Sequence, residues 1–349
     1  MSELKTNKIS TNDQNNVAID NALNLKSYDT TGRNALTSVA GDMIYNTTDS
    51  KVQVYDGSAW ADLGGLNVFE LDYVVVGGGG RGAGGFSGGG GAGGVISSVD
   101  QSGGTDNTAE DSLYIQPSVN YDITIGAGSS SAYALGNSSQ FEYVTAAGGG
   151  GATGGNGGFG IGGASGGGGN YANGGSFGGS AQTNLGNSGG RGSTSFLSSR
   201  AGGGGGGGAG GVGADAPNMD NGGAGGTGVY CNILTTTQAT AASVGEVVGS
   251  NVYFGGGGGG STGSNSLGSP GSGGNGGGGD GRNDGAVNNG TANTGGGGGN
   301  GGSGVVIIKF PDTYTMGGGT GLTIHTPSNP PTGYTLKVFT AGTGTISFS

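Results

Sequence analysis

A single cysteine, Cys231, leaves no disulfide to form within one chain, so the fold is not one stapled by crosslinks. Seven prolines exclude a collagen-like helix, which needs abundant proline between glycines at every third position. His325 is the one histidine; it has no second histidine with which to hold a metal, and a surface or edge-strand position is expected for it. Basic residues number 11 against 22 acidic ones, a net charge of −11, which disfavours nucleic acid because phosphates demand a basic footprint. Anionic membranes are disfavoured for the same reason. No run approaches the roughly 18 apolar residues of a spanning helix, so no membrane insertion is expected. The opening M-S-E-L-K-T-N-K-I-S lacks the apolar stretch of a secretory signal, so synthesis in a cytoplasm without export is expected. With 31% hydrophobic residues, a large conventional core is not expected either.

What the chain has instead is glycine. Of 96 glycines, 5 precede Gly77 and 7 follow Gly304, which leaves 84 in the 228 residues between. In A-G-G-F-S-G-G-G-G-A-G-G-V the residues Ala83, Phe86, Ala92 and Val95 share a three-residue register. Thr153, Asn156 and Phe159 repeat it, as do Asn221, Ala224 and Thr227, and again Thr294, Asn300 and Ser303. Period three belongs to the extended polyproline II type of helix, which has no internal hydrogen bonds and must bond to its neighbours. Without a β-carbon the backbones come close enough to do so. The expectation is a polyglycine II sandwich over residues 68–310. Period-three stretches would be its outer helices, with residues such as Ala92 facing out. Unbroken runs would be interior, with Gly202, Gly205 and Gly208 in one and Gly255 and Gly260 in another as scaffold positions. A flexible glycine linker is the competing reading. Strand-like runs at 73–76, 121–125, 141–145 and 305–310 argue against it.

The fold class expected is mostly irregular and all-β: a glycine-helix sandwich bracketed by short strands, with small β modules at both ends. Residues 1–32 carry Val17, Ile19, Leu23 and Leu25 at odd positions and read as an extended stem needing partner chains, or as a disordered tail. Residues 33–67 read as a β-meander with strands at 43–45, 52–55 and 59–63, an Asp56-Gly57 turn, and a core of Trp60 and two tyrosines. Residues 311–349 read as a third β module or as strands completing the glycine domain.

Chemistry is scarce. G-x-G-x-x-G at Gly77, Gly79 and Gly82 follows a strand, as in a dinucleotide site, but A-G-G-F-S-G-G-G-G cannot make the phosphate-binding helix. Glu110 and Asp111 read as solvated loop charges rather than a glycosidase pair. No catalysis and no cofactor are expected. Arg81, Arg191, Arg200 and Arg282 are the only cations in 52–308; they can cap free carbonyls or meet an acidic glycan. Tyr133, Tyr171, Phe177, Phe196 and Tyr230 stand in loops and can either contact a receptor or pack across the sandwich face. If glycine helices alternate in direction, only a subset of loops can face a host together.

Y-V-V-V-G-G-G-G from Tyr73, V-N-Y-D-I-T-I-G-A-G from Val119 and G-G-S-G-V-V-I-I-K-F from Gly301 resemble the glycine-rich domain of phage tail-fibre and related virion proteins. The composition is also similar to the polyglycine II sandwich of tip adhesins of some T-even-type phages and to the glycine-rich domain of anaplastic lymphoma kinase receptors. R-N-A-L…G-D-M-I-Y-N-T-T…V-Y-D-G-S-A-W resembles a small β module of phage and marine-virus tail fibres. The resemblance implies a virion tail fibre or adhesin, a homotrimer among other virion tail proteins, binding a host surface glycan or outer-membrane protein. A spacer that binds nothing is the alternative.

Overall fold

The computed structural model describes residues 25–63, 68–83, 87–131, 133–154, 157–172, 175–195, 200–284 and 286–349. They form two compact units, 1–67 and 68–349. Val17, Ile19, Leu23, Phe86, Asn156 and Phe196 lie outside the described residues.

In the first unit, strands β1 (Ser27–Tyr28), β2 (Met43–Asn46), β3 (Lys51–Tyr55) and β4 (Trp60–Asp62) form one sheet in that order, with helix α1 (Thr30–Asn34) between the first two. The meander expected from the sequence is present, but it starts earlier. Ser27 and Tyr28 pair in parallel with Tyr45 and Asn46, so this part of the supposed stem belongs to the module. Asp56 makes the turn into β4, its carboxylate accepting from the backbone N–H groups of Ser58 and Ala59, with Gly57 at φ +104°. The core differs from the aromatic one expected. Ile44, Asn46 and Gln53 are the buried residues, while Tyr55 and Trp60 lie half-buried, rings 5.5 Å apart, and Tyr45 is exposed. Asn46 and Gln53 are diagonal neighbours on β2 and β3 and share one amide network: Asn46 Nδ2 donates to Gln53 Oε1 at 3.0 Å, Arg33 Nη1 reaches the same oxygen at 2.7 Å, Asn46 Oδ1 accepts from the Thr48 N–H, and Gln53 Nε2 donates to Asp62. A fully paired amide network can occupy an interior that apolar side chains would otherwise fill.

The second unit is held by a ten-stranded sheet. It is built from β5 (Phe69–Val76), β6 (Val95–Ser97), β7 (Leu113–Ile115), β8 (Asn120–Thr124), β9 (Ser139–Phe141), β10 (Val144–Ala146), β14 (Val305–Pro311), β15 (Met316–Gly318), β16 (Leu322–His325) and β17 (Tyr334–Phe348). The main path runs β10-β9-β8-β17-β14-β5-β6, and the sheet curls until β10 lies against β5 and β6, nearly closing a barrel. Residues 73–76 of β5 and 305–308 of β14 read as unbroken apolar runs because both faces of the sheet are covered there. Leu71, Tyr73, Val75, Val306, Ile308 and Phe310 face the inner cluster, which Phe141, Phe339 and Phe348 complete. Val74, Val76, Val305 and Ile307 face a second cluster. That cluster is capped by a three-stranded sheet, β11 (Val229–Tyr230), β13 (Asn251–Phe254) and β12 (Glu246–Val248), with helix α2 (Thr236–Ala242). The sequence reading placed Tyr230 of this segment in a loop, whereas it lies in β11. The start signal of α2 was present, since Thr235 and Gln238 make a reciprocal capping box.

One further expectation is corrected, and one pair of alternatives is decided. The run 141–145 is a hairpin, with Phe141 opposite Val144 and Glu142 at φ +51° in the turn. Of the two readings of 311–349, the strands complete the glycine unit. β17 pairs with β14 through 334–339 and with β8 through 343–347.

Between these strands the glycine runs carry no regular strand or helix among the described residues, yet their hydrogen bonds are periodic. Gly203, Gly206 and Ala209 donate to the carbonyls of Ser261, Gly258 and Gly255; Gly204 and Gly207 to Gly169 and Gly166; Gly205 and Gly208 to Ala214 and Gly211. Residues three apart therefore address the same neighbour, and successive residues address different ones. Three more segments donate back, through Gly190 to Gly205, Gly223 to Gly203 and Gly89 to Gly204, so this run has six neighbours. Gly202, Gly205, Gly208, Gly255 and Gly260 are all buried, as expected of interior positions. Gly255 sits at φ +72°, where a β-carbon would come within 2.8 Å of the Ala209 methyl. Ala92, expected to face out, is fully buried. Segment 87–94 also exchanges bonds with six segments, through Gly80, Gly150, Gly168, Gly204, Gly258 and Gly295. It has no outer face, and its period-three register marks where a methyl fits rather than where solvent begins.

Candidate functional site

Strands enter and leave the glycine region at one end. β5 leads into Gly77, β10 into Ala147 and β13 into Gly255, while Gly94 leads into β6, Gly228 into β11 and Gly304 into β14. The hydrogen bonds keep this register through the lattice: Gly77 donates to Gly94 and Gly80 to Gly91, Gly94 to Ala147 and Gly91 to Gly150, Ala209 to Gly255 and Gly206 to Gly258. Segments thus alternate in direction, and the connections divide into a sheet-end set and a far-end set.

The far end collects most of the side chains singled out from the sequence. Tyr133 is 57% exposed there at φ +64°. Phe177 is exposed and lies beneath the Arg191 guanidinium, 4.2 Å from ring centroid to Cζ. Tyr171 is buried and takes the packing role. Tyr230 is separated from them. It lies half-buried in β11 at the sheet end, edge-on to Tyr253 at 6.0 Å. Exposed far-end residues that sequence reasoning passed over are Phe159, which the period-three register had already marked as outward, and Leu267.

All four arginines of the region stand at this far end. Among the described residues Arg81 alone caps a carbonyl, its Nε donating to Gly299 O at 3.1 Å. Arg200 forms a two-point pair with Asp220, Nε to Oδ1 at 2.7 Å, and holds that carboxyl below the usual carboxylate range. Arg282 pairs with Asp284 at 2.6 Å. Arg191 has the aromatic ring for its guanidinium, while its backbone N–H donates to Asp215 Oδ1 at 2.7 Å. Between the 191–195 and 215–220 connections lies a cleft of about 540 Å³, lined by Arg191, Thr194, Asp215, Pro217, Met219 and Asp220 among others.

The remaining chemical candidates do not assemble. Among the described residues no group of three or more histidine, cysteine, aspartate and glutamate side chains could hold a metal, and no helix is long and apolar enough to cross a membrane. His325 closes edge strand β16, opposite Val338. The Cys231 thiol is buried, and desolvation pushes its pKa up to about 12, which disfavours the thiolate.

Residues 58–311 match the family profile of the glycine-rich domain. The chain belongs to the glycine-rich domain family. The matched span covers β4 and the lattice and ends at the last residue of β14, so the glycine-rich domain takes in the opening and closing strands that the sequence reading placed at its edges. No curated protein and no solved structure matches the chain.

Proposed function

We propose that the chain is a virion tail-fibre protein or adhesin that grips a host-cell surface through the far-end connections of a rigid polyglycine II scaffold. The observation that carries the reading is the period-three hydrogen bonding. Three residues per turn with every amide directed at another segment is what packed polyglycine II helices require, and each ordered segment fixes the loop at its end. Loops already ordered lose less entropy when they close on a receptor. Support for the virion assignment comes from the sequence resemblance of both the glycine region and the N-terminal module to tail-fibre proteins. In this reading the first unit joins the chain to other virion tail proteins, and a homotrimer presents three far ends at once, adding avidity. A host surface glycan or outer-membrane protein is the receptor class.

The test uses the intact chain carrying a fluorescent label against a panel of bacterial strains. Staining of a subset of strains is expected. Replacing Tyr133, Phe159 and Phe177 together with serine should lower that staining at least tenfold while moving the melting temperature by no more than a few degrees, since exposed positions contribute little to stability. A folded chain that stains no strain, or a triple variant that stains as well as the parent, overturns the reading.

A further inference from the structure

The cleft between the 191–195 and 215–220 connections has a composition that selects among ligands, and its selection deepens the adhesin reading, on which it rests. Asp220 is fully committed: Arg200 takes both oxygens, and the Leu267 N–H donates to Oδ1 at 3.0 Å. Asn218 Oδ1 is spent on its own turn, accepting from the backbone N–H groups of Asp220 and Asn221. These two build the wall.

Left over are groups of opposite kind. The Arg191 guanidinium, held on the Phe177 ring, pairs with no carboxylate among the described residues and presents donors only. The exposed Asp215 carboxylate uses Oδ1 to hold the Arg191 backbone and leaves Oδ2 as an acceptor. Both are fixed by the same contact, because the Arg191 carbonyl in turn accepts from the Ala216 N–H at 2.8 Å. Thr194 contributes a hydroxyl that can donate or accept. Pro217 and Met219 also line the cleft and supply its apolar surface.

The formal charges cancel, Arg191 against Asp215 and Arg200 against Asp220. An anionic ligand would meet Asp215, and a cationic one would meet Arg191, so neither is favoured. A ligand whose every polar group both donates and accepts, and which also offers a C–H face, satisfies all three features together. The volume falls within the roughly 300–1,000 Å³ of small-ligand sites. We infer that this cleft binds a neutral saccharide, with Arg191 donating to and Asp215 accepting from neighbouring hydroxyls while Pro217 and Met219 cover the face of the ring.

The experiment presents the labelled full-length chain to immobilised neutral oligosaccharides of hexose, deoxyhexose and N-acetylhexosamine, beside sialylated and uronic-acid oligosaccharides. Retention on members of the neutral set is expected, competed by the same oligosaccharide free in solution. Arg191→Ala and Asp215→Ala should each reduce it at least tenfold, whereas Arg282→Ala, at another far-end loop, should leave it unchanged. Melting curves identify any variant that loses its fold, and the competition assay on the parent chain needs no variant. Retention only on acidic sugars, retention on none, or neutral-sugar retention indifferent to both cleft variants overturns the assignment. Cells stained equally by the parent and both cleft variants would overturn the cleft and leave the adhesin reading standing.

Discussion

Gly205→Ala should cost several kcal/mol, and Gly205→Val should prevent the second unit from folding. A β-carbon at Gly205 would fall on the carbonyl oxygen of Ala224, far inside contact distance, with the carbonyl carbon behind it. Backbone cannot swing aside as a side chain does. Gly206 would meet the carbonyl of Gly90 and Gly207 that of Asn187, so movement in any direction compresses another segment. Relief requires the segments to separate, which adds an overpacking cost of about 1–3 kcal/mol to about 1–3 kcal/mol for each buried amide left without a partner. The matched control is Gly317→Ala on β15, where the added methyl would lie 3.5 Å from Ser347 Oγ and face solvent. There the substitution should be neutral or stabilise by about 0.4–1 kcal/mol, through the lower entropy of the unfolded chain. Ala92→Val, harmless at an outward position, should instead destabilise by about 1–3 kcal/mol because Ala92 is buried. Urea melts of Gly205→Ala, Ala92→Val and Gly317→Ala check the ordering. Equal midpoints for Gly205→Ala and Gly317→Ala would mean that the lattice yields, and would defeat the interlocked arrangement.

Ending the chain at Asn329 should abolish cooperative unfolding of the second unit, an effect as large as its whole stability. The truncation removes β17, which is bonded to β14, β8, β15 and β16. It takes Phe339, Ile346 and Phe348 from the inner cluster and Leu336 and Val338 from the outer one, so both faces of the sheet lose their cover. Each fully buried large apolar side chain contributes about 1.5–3 kcal/mol, and five together come to about 7.5–15 kcal/mol, as much as the roughly 5–15 kcal/mol by which a whole domain is stable. Were the C-terminal strands a separate module, the shortened chain would keep the parent transition in a calorimeter. That single outcome would refute the assignment.

Much of this arrangement was legible in the residues because period and burial act locally. The unbroken glycine runs marked segments that are buried and mutually bonded, the three-residue register marked the bonding period, and V-V-I-I marked a strand covered on both faces. The depth of a given segment was not legible. Ala92 and Phe159 occupy the same register, yet one is enclosed and the other 60% exposed, because exposure depends on how many segments surround theirs. That number is set by connections far away in sequence. The first unit misled for a different reason: Trp60, Tyr45 and Tyr55 have the greater apolar area, but Asn46 and Gln53 could go inside because each finds the other. At the far end, the aromatic candidates were visible as loop residues, whereas the cleft depends on 191–195 and 215–220 ending at the same level, which only the register of the lattice shows.

The lattice also shapes how the protein responds to temperature. Unfolding an ordinary domain raises the heat capacity by about 12–15 cal/mol/K per residue, because exposed apolar surface raises it by more than exposed polar surface lowers it. In the glycine region the interior is largely backbone. Melting there uncovers peptide groups, with few side chains besides methyls such as those of Ala92, Ala201 and Ala209. The polar contribution is therefore unusually large and the increment per residue should fall below that range, with the deficit concentrated in 77–304. A smaller increment flattens the curve of stability against temperature, moving its cold limit downward and its hot limit upward for the same maximum. A structure held by amides in this way keeps its shape over a wider thermal range than its small apolar content would suggest.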